Sequence, residues 1–512
     1  MTMAKNHEVN GANVSRRGFL KKAGGAAAGV GLAASGLMFS GKPAQAAEVP
    51  KKWDKEYDVV VIGSGFAGLA AAIDAKTAGA SVIVLEKMPV PGGNSIINGG
   101  LMAAAGTPLQ KKEGIKDSPE LMMKDTLKAG LYMNHPELAR IFVDDSAAAV
   151  EWTIKLGAKY KDRVTHLGGH TVPRSYYTTN SSGAGIVRPM LKKVKEMGIP
   201  LQKKTLLENL IIDGDKGVVG VKVREKYAFP KKDSGKVVYI KAKKGVVMAS
   251  GGFANDVAFR TIQDPKLDKS VDCTNHPGAT AESLLEAFRC GATPVQVSWI
   301  QLGPWGCPDE KGMGIGYIFA ISGAFPFGVM VDPKDGKRFV NELANRKIRA
   351  DAILKTGHYA IGVADQNGVK YTAKLDKMLE RGIVKKFNTL DELAAYYKID
   401  KKGLEKTVKD YNSYVKNGND KEFGKPLRKS AKPIATAPFY GMRLWPKAHH
   451  TMGGLQINPK AQVLDLTGEP IKGLYAAGEI TGGVHGAVRL GSNATTDCIV
   501  FGRIAGQNAA KG

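Results

Sequence analysis

Short apolar runs of strand length alternate with Ala-rich stretches of helical length along this chain. The clearest run covers residues 57–62 and ends at a glycine-rich turn, which is typical of a buried parallel strand. A helical stretch over 69–78 follows, and a second apolar run over 80–85 predicts the next strand. Similar runs recur at 246–249 and 473–477. This alternation predicts an α/β fold with a Rossmann-like parallel sheet.

The turn after the first strand contains a glycine fingerprint. Gly63 permits the tight turn, Gly65 lets the backbone approach a pyrophosphate, and Gly68 lets the helix pack on the strand. The helix N-terminus, beginning around Ala67, adds the positive end of its dipole. Glu86, at the end of the second strand, is placed to bond ribose hydroxyls. Strand, glycines, helix, strand and acid in this order predict a dinucleotide site.

Later glycine-containing blocks indicate which dinucleotide is bound. Residues 91–95 and the glycine pair 99–100 follow directly after the ribose acid. The strand over 246–253 ends in paired glycines, and the strand over 473–479 delivers Glu479 to the cofactor. These blocks resemble FAD-binding flavoproteins, and the chain has no second strand–glycine–helix fingerprint for a nicotinamide cofactor. We therefore expect FAD.

The first 46 residues resemble an export leader of the twin-arginine type. Arg16 and Arg17 precede an uncharged Gly/Ala-rich run over 23–41, and a cleavage-type sequence ends at Ala46. Because this route carries folded proteins with their cofactor already loaded, we expect a periplasmic protein that begins at Ala47. The alternative is a membrane anchor, but the run is weakly apolar and barely long enough to span a bilayer. The mature part has no apolar stretch of transmembrane length, so we expect a soluble product and not an integral membrane protein.

Charge and cysteine content narrow the choice of partners. The formal net charge is +26, and removing the six basic residues and one acid of the leader leaves +21. The lysines are scattered and no nucleic-acid motif accompanies them, so we expect an anionic substrate or acidic redox partner and no nucleic acid. The spacing of Cys273, Cys290, Cys307 and Cys498 is too wide for a metal knuckle, so we expect no metal. Buried thiols are the favoured interpretation, and a disulfide stays open.

Five ordered blocks make the chain resemble the flavoprotein part of the fumarate reductase/succinate dehydrogenase family. The resemblance covers the mature chain almost end to end, and is greatest to soluble periplasmic flavocytochrome c fumarate reductases without their haem domain. No C-x-x-C-H haem-attachment sequence is present. The resemblance implies an FAD-binding domain split into residues 47–297 and 451–512, with an α+β capping domain inserted at 298–450. The matching blocks cover residues 169–171, 275–280, 336–342, 449–454 and 482–494.

The resemblance also implies the reduction of a carbon–carbon double bond next to a carboxylate. In this family reduced flavin gives a hydride from N5 to one alkene carbon, and an arginine delivers a proton to the other. Arg346 matches that arginine. Because its pKa lies far above neutrality, an arginine can act as an acid only beside the developing carbanion and with prompt reprotonation. The alternative is that Arg346 forms a salt bridge at the start of a helix.

His449 and Arg489 match the carboxylate clamp of the family. A guanidinium binds a carboxylate through paired hydrogen bonds, and a histidine adds another. These bonds polarise a conjugated alkene and stabilise enolate-like charge. The alternative is that both residues are structural, and the neighbouring His450 is expected to support the backbone. The cofactor-binding positions expected from fingerprint and resemblance together are Gly63, Gly65, Ala67, Gly68, Glu86, Asn94, Ser95, Gly99, Gly100, Glu282, Glu479, Arg489, Ala494 and Thr495, and Gly100 is also expected to contact substrate.

The chain departs from the family where a second carboxylate would bind. Gly303 stands where fumarate reductases carry a histidine, Trp305 lies beside it, and residues 312–328 carry no charge. We expect Gly303 and Trp305 in the substrate site, with a pocket that favours an apolar or aromatic group, because an unpartnered buried carboxylate is unfavourable. The alternative is that the aromatic residues of this segment form only the core of the cap. These residues are Tyr317, Phe319, Phe325 and Phe327.

The glutamate and arginine that return a proton to the acid arginine in the family also fail to match. A different route must then recharge Arg346. The candidates nearest in sequence, which the sequence does not rank, are Glu342, Arg349, Asp309, Glu310 and Tyr317.

Together these features predict an exported FAD-dependent reductase of an α,β-unsaturated monocarboxylate of the acrylate, methacrylate, cinnamate or urocanate type. A separate cytochrome c or quinol-linked donor would supply electrons in anaerobic respiration. One alternative is a fumarate reductase with a rearranged pocket. Another is a ketosteroid-type dehydrogenase, which would polarise a ketone with tyrosines. A non-enzymatic electron-transfer flavoprotein would not need Arg346.

We expect the FAD to be bound non-covalently. Families that attach FAD covalently place a histidine near the glycine pair after the ribose acid, whereas this chain has Gly93, Asn94 and Ser95 there. Acid precipitation of the purified protein should release the yellow colour into the supernatant. Flavin that stays with the pellet would contradict this expectation.

Overall fold

The computed structural model describes residues 48–428 and 430–512. The predicted leader lies outside the described residues, as do its two arginines and its cleavage sequence. Across the described residues, no helix combines the length and apolarity needed to cross a membrane. The helices are α1 (Phe66–Thr77), α2 (Gly93–Ile97), α3 (Pro108–Lys112), α4 (Pro119–Ala129), α5 (Pro136–Asp144), α6 (Ser146–Lys155), α7 (Ala184–Glu196), α8 (Val257–Gln263), α9 (Glu282–Arg289), α10 (Tyr317–Phe319), α11 (Phe325–Phe327), α12 (Arg346–Thr356), α13 (Leu375–Glu380), α14 (Leu390–Tyr397), α15 (Lys401–Asn417) and α16 (Asn493–Ala509), with a 3₁₀ turn at Gly214–Lys216 and a π-helical turn at Ala320–Ala324. The strands are β1 (Lys55–Ile62), β2 (Val82–Glu86), β3 (Leu101–Ala103), β4 (Tyr160–Thr165), β5 (Ser175–Thr178), β6 (Leu201–Lys203), β7 (Thr205–Ile212), β8 (Val218–Glu225), β9 (Lys236–Met248), β10 (Pro294–Val295), β11 (Ile300–Gly303), β12 (Val329–Val331), β13 (Ala360–Asp365), β14 (Lys385–Phe387), β15 (Phe439–Leu444), β16 (Lys447–Thr451), β17 (Gly454–Leu455), β18 (Gln462–Leu464) and β19 (Pro470–Ala476).

The largest sheet has eight strands, with the first predicted strand inside it. β1 pairs in parallel with β2 on one side and with β9 on the other, and β6 and β19 extend the parallel arrangement. Residues 59–62 of β1 and the whole of β2 are buried, which explains why these runs are continuously apolar. β18 and the β7–β8 hairpin add antiparallel pairs. The predicted α/β fold with a Rossmann-like parallel sheet is confirmed.

Helices α1 and α16 pack side by side in the same direction with unusually close backbones. A Cβ atom at Gly502 would lie 2.5 Å from the carbonyl oxygen of Ala67, and one at Gly506 would lie 2.2 Å from that of Ala71. Only glycine fits at these two positions. The close contact holds together two helices whose first turns both line the inner cavity described below.

The cap contains a four-stranded antiparallel sheet in the order β12–β13–β15–β14. Side chains alternate across it, so β13 contributes Ala360 and Ala364 to one core and Ile361 and Val363 to another. The first core contains most of the aromatic segment after residue 316, and the second is covered by α14 and α15. This packing agrees with the α+β character predicted for the cap.

The chain enters and leaves the cap through two strands that pair with each other. β11 and β16 are antiparallel, with Gln301 opposite His450. These strands coincide with the predicted limits of the cap, 298 and 450. The described residues, 48–428 and 430–512, form one compact unit, so division of the FAD domain at these limits stays a prediction.

Candidate active site

Two adjoining cavities lie at the carboxyl ends of the parallel strands, where α/β sheets bind ligands. The dinucleotide groove encloses about 840 Å³ and is lined by residues at or just after the ends of β1, β2, β9 and β19. The inner cavity encloses about 1210 Å³ and is also lined by the cap. An elongated ligand can span both, because they share lining residues. The shared residues are Phe66, Asn94, Ser95, Glu479 and Cys498.

At the glycines of the fingerprint, the backbone lines the groove without side chains. Gly63 has φ +106°, and a Cβ there would lie 2.3 Å from the carbonyl oxygen of Ala249. A Cβ at Gly68 would lie 2.0 Å from the carbonyl oxygen of Gly63, so the helix can start this close only with glycine. At the start of α1, the amide of Phe66 donates to Ser95 Oγ at 3.0 Å. The arrangement suits a pyrophosphate at a helix N-terminus.

Glu86 is held at the groove by three hydrogen bonds. Its Oε2 accepts from the hydroxyl of Ser64 at 2.5 Å and from the amide of Ser64 at 3.2 Å. Its Oε1 accepts from the amide of Met88 at 2.8 Å. The carboxylate is therefore fixed at the end of β2, in the position expected of a ribose ligand.

Eleven of the fourteen expected cofactor positions line one of the two cavities, and three do not. Gly68 packs against the backbone of Gly63. Gly100 is packed against Thr178 and Ser182, behind the wall. Glu282 forms an ion pair at 3.2 Å with Lys87, and it is Lys87 that lines the groove. The positions that line a cavity are Gly63, Gly65, Ala67, Glu86, Asn94, Ser95, Gly99, Glu479, Arg489, Ala494 and Thr495.

Glu479 lies where the two cavities meet. Its carboxylate accepts from the amide of Thr451 at 3.0 Å, and its Oε2 lies 3.2 Å from His450 Nδ1. Burial raises the pKa of Glu479 to about 7. The ring of His450 faces this carboxylate, and the backbone of His450 pairs with Gln301 of β11, so its expected support of the backbone stays a prediction.

Arg346 is the first residue of α12, where the side chain of Asn345 caps the helix by accepting from the amide of Ile348 at 3.1 Å. Arg346 Nη1 donates to Gln301 Oε1 at 2.8 Å, and its guanidinium lies 4.4 Å from the ring centre of Trp305. Among the described residues no carboxylate lies within 4.0 Å of it, so the salt-bridge alternative does not match the structure. Burial, together with Arg489 and Arg349, holds the pKa of Arg346 well below its usual range.

His449 lines the same cavity and is oriented from behind. Its Nδ1 lies 2.7 Å from Thr274 Oγ1, and its backbone carbonyl accepts from the side chain of Asn275 at 3.0 Å. Burial and the nearby Arg346 and Arg489 hold the pKa of His449 well below its usual range. These influences disfavour the protonated imidazole, whereas a carboxylate bound beside it would favour that form.

Arg489 completes the predicted clamp. It is buried and lines the cavity, and its Nε–H has no hydrogen-bond partner. Burial lowers the pKa of Arg489 to about 10. Gln301 connects it to the acid residue, because Gln301 Nε2 donates to the backbone carbonyl of Arg489 at 2.9 Å while its Oε1 accepts from Arg346. A single buried amide thus fixes the spacing between clamp and acid.

Trp305 fills the space that a side chain at position 303 would need. A Cβ at Gly303 would lie 3.1 Å from Cε2 and Cζ2 of the indole, so Gly303 stands behind Trp305 and does not line the cavity. Trp305 lies edge-on to His449 at a ring-centre distance of 5.0 Å and under the guanidinium of Arg346. The indole therefore forms the wall between clamp and acid.

The aromatic segment divides between cavity and core. Tyr317 and Phe325 line the cavity, whereas Phe319 and Phe327 do not and are buried elsewhere in the cap. The segment therefore contributes two aromatic residues to the cavity wall and two to the interior of the cap, so each of the two interpretations holds for half of it.

Arg349 is a third guanidinium in the cavity wall. It is buried, its Nε–H has no partner, and its guanidinium lies 4.8 Å from the ring centre of Phe325. Of the other recharging candidates only Tyr317 lines the cavity. Glu342 is paired with Arg338, Asp309 with Arg443, and Glu310 accepts from the amides of residues 315 and 316.

The comparisons with known proteins agree with this geometry. A sequence model described as the FAD binding domain matches residues 58–495. The chain belongs to this family. It is 45% identical over 500 residues to the acrylate reductase flavoprotein subunit of Shewanella woodyi, covering 96% of this chain and 97% of that protein. It is 33% identical over 512 residues to the urocanate reductase of Eggerthella lenta, covering 98% and 82%. The solved structure of an open flavocytochrome c3 fumarate reductase superposes with a TM-score of 0.71 at 36% identity, covering 90% and 79%.

The flavoprotein is thus an FAD-dependent oxidoreductase of the enoate and fumarate reductase type. The predicted resemblance to that group is confirmed. Gly63, Gly65 and Glu86 line the dinucleotide groove, and the first turn of α16 lines the adjoining inner cavity, so the residues present are compatible with an FAD molecule.

Three residues of the flavoprotein site were not singled out from the sequence. Thr274 precedes the matched block at 275–280, and its hydroxyl could have been suspected as a partner of a nearby histidine. Gln301 belongs to the segment that departs from the family, so no motif indicated it. His166 lines the cavity, and its Nε2 lies 2.7 Å from the carbonyl oxygen of His170. It was not singled out because the nearby block that matches the family begins only at residue 169.

All four cysteines of the flavoprotein are free thiols. Burial raises the pKa of Cys273 to about 11 and that of Cys307 to about 12, so these thiols stay protonated. Cys273 and Cys307 are buried as expected, Cys290 and Cys498 are only partly buried, and no disulfide joins these four residues.

The hydroxyl of Thr274 should contribute to anion binding by orienting His449. Thr274→Val keeps the shape but removes the hydrogen bond, and we expect binding of a small carboxylate such as propionate to weaken about tenfold, which is the effect of about 1.4 kcal/mol. The dissociation constant can be read from the flavin absorbance. Thr274→Ser keeps the hydroxyl and should stay within about twofold of wild type. Equal weakening in both variants would assign the effect to packing.

Proposed function

We propose that the protein reduces the carbon–carbon double bond of an α,β-unsaturated monocarboxylate in the periplasm after export. The observation that carries this proposal is an asymmetric cavity: one carboxylate clamp is complete, and the place of the second is filled by Trp305. The names of two relatives, acrylate reductase and urocanate reductase, support a substrate with one carboxylate.

The clamp both binds and activates the substrate. Arg489 has an unpartnered Nε–H in the wall, and His449 lies beside it with its ring fixed by Thr274. A carboxylate held there withdraws electron density from the conjugated alkene, which makes the β-carbon electrophilic. The same groups stabilise the enolate-like charge that develops on the carboxylate in the transition state.

Arg346 provides the proton. Bound and reduced FAD supplies the hydride, and Arg346 protonates the α-carbon on which negative charge would otherwise accumulate. Its lowered pKa makes it a stronger acid than an arginine in water. Gln301 and the face of Trp305 hold the guanidinium in place, so little reorganisation is needed at the moment of transfer.

The far end of the cavity suits an uncharged group. Trp305, Tyr317 and Phe325 line it, and burial of a carboxylate against such a wall without partners is unfavourable by several kcal/mol. A ketosteroid-type activity has less support, because Tyr317 is the only tyrosine among the described residues that line the cavity. A fumarate reductase is the second candidate, since the unpartnered Nε–H of Arg349 could bind a second carboxylate.

We propose that electrons come from a separate cytochrome c or quinol-linked donor in anaerobic respiration. The sequence has no C-x-x-C-H haem-attachment motif, and its strongly positive charge would attract an acidic redox partner. The relative from Shewanella woodyi is named a flavoprotein subunit, which supports a partner.

Export by the twin-arginine route is proposed from the leader sequence. The division of the FAD-binding domain at the cap is proposed from the resemblance.

Replacement of Arg346 should abolish alkene reduction and leave FAD bound. Arg346→Ala and Arg346→Lys should both fall at least 100-fold in turnover with reduced viologen as donor, since a well-placed general acid contributes about 10²–10⁴-fold. Lysine keeps the charge but not the planar fork that Gln301 and Trp305 hold. Lys347→Ala, which removes an exposed cation one residue away, should be near wild type. Turnover above about a tenth of wild type in Arg346→Ala would remove this residue from the role of acid.

The enzyme should prefer a monocarboxylate to fumarate. With one electron donor, kcat/KM for acrylate, methacrylate, cinnamate and urocanate should include a value at least about 100-fold above that for fumarate, because each 1.36 kcal/mol is a factor of ten. If fumarate is the best substrate, the second candidate function is correct, and Arg349→Gln should then lower activity on fumarate alone.

A further inference from the structure

We propose that Arg349 returns a proton to Arg346 after each turnover, which makes it the proton-relay residue of this enzyme. The proposal rests on the proposed function, because only an enzyme that uses Arg346 as an acid needs to recharge it. The geometry points to Arg349 among the groups of the cavity wall.

Position is the first reason. Arg346 and Arg349 lie three residues apart on α12, a spacing that brings side chains onto the same helix face, and both line the inner cavity. The relay therefore requires a proton to cross only the stretch of cavity wall that the two side chains share. Neither position depends on a mobile loop, since Asn345 caps the helix one residue earlier.

The contacts of Arg349 are the second reason. Its Nη1 donates to the backbone carbonyl of Glu342 at 3.2 Å, and its Nε–H is buried without any partner. Among the described residues no carboxylate lies within 4.0 Å of its guanidinium. A buried guanidinium that is neither paired nor fully hydrogen-bonded is destabilising, so a functional reason for its retention is expected.

The other ionisable groups of the cavity are committed elsewhere. His449 and Arg489 bind the carboxylate, and Glu479 is bonded to Thr451 and faces His450. Tyr317 is a phenol whose pKa is raised by burial, which makes it a poorer proton donor than in water. His166, with its Nε2 bonded to the carbonyl oxygen of His170, presents no free N–H on that side.

The protons transferred in one turnover balance without a further reactant. Arg346 gives an N–H proton to the α-carbon as the β-carbon receives a hydride, and it is left as a neutral guanidine. Arg349 donates an N–H proton to that guanidine, which restores Arg346 as a guanidinium. Arg349 then takes a proton from water, so that each turnover consumes one hydride and one solvent proton. Burial lowers the pKa of Arg349 to about 10, so Arg349 holds its proton less tightly than an arginine in water does.

The first and later turnovers separate a relay from a structural role. In Arg349→Gln, the first oxidation of the pre-reduced enzyme by acrylate should proceed within about twofold of the wild-type rate, because Arg346 is already protonated. Steady-state turnover should fall about 10- to 100-fold with KM within about twofold, and the solvent isotope effect on kcat should rise. Lys355→Gln, which removes an exposed cation from the same helix, is the matched control.

A swap tests the relay independently of the loss of Arg349. Arg349→Phe combined with Phe325→Arg exchanges the two partners of the guanidinium–ring stack and returns an arginine to the charge-free segment. We expect this double variant to regain at least about a third of the turnover that Arg349→Phe alone loses. FAD content, measured for each variant, shows whether it has folded.

The outcomes distinguish the two proposals. If none of the enoates reoxidises the reduced flavin of the wild-type enzyme, the proposed function itself is overturned. Wild type that is active while Arg349→Gln turns over normally would overturn only the relay. Equal slowing of the first and later turnovers would make Arg349 structural, and a raised KM confined to fumarate would make it a carboxylate ligand.

Discussion

The site depends on three guanidinium groups that line one buried cavity and, among the described residues, have no carboxylate within 4.0 Å. Transfer of such charges out of water is strongly unfavourable, and like charges at close range add to the penalty. The described residues offset part of this penalty with neutral contacts: a glutamine for Arg346, backbone carbonyls for Arg349 and Arg489, and aromatic faces for Arg346 and Arg349. The anionic substrate supplies the missing charge. The buried positive charge therefore favours two things at once: the binding of an anion and the loss of a proton by an arginine.

The two parts of the chain meet at this charge cluster. Arg346 comes from the cap, whereas His449 and Arg489 come from segments that return to the large sheet. Gln301 connects them, since it lies on β11 opposite His450 and bonds both the cap arginine and the backbone of Arg489. The position of Arg346 relative to Arg489 is therefore fixed in part through one buried amide side chain.

The sequence was sufficient for the parts of the molecule that are set locally. The continuous apolar run of β1, the glycines after it and the acid at the end of β2 are determined by neighbouring residues, and each was predicted at its correct place. The arginine and histidine of the cavity were recognised through resemblance. Contacts that join distant segments were not predictable in the same way: Thr274 meets His449 across 175 positions and Arg346 meets Gln301 across 45. The surroundings of Gly100 and His450 were not predicted for this reason, because the residues that they face lie far away in the chain. Gly303 faces the nearby Trp305, and there the sequence did not show that the indole would turn back onto position 303.

The contact between Gly303 and Trp305 also constrains how this lineage of enzymes can change. A side chain introduced at position 303 would place its Cβ 3.1 Å from the indole, so Trp305 would have to shift by a few tenths of an ångström. A smaller residue at 305 would relieve this contact, but it would also remove the aromatic face beneath Arg346. Because the two residues are in contact, the effects of substitutions at 303 and 305 are expected to be non-additive. Substrate preference is therefore expected to depend on the pair of residues and not on either one alone.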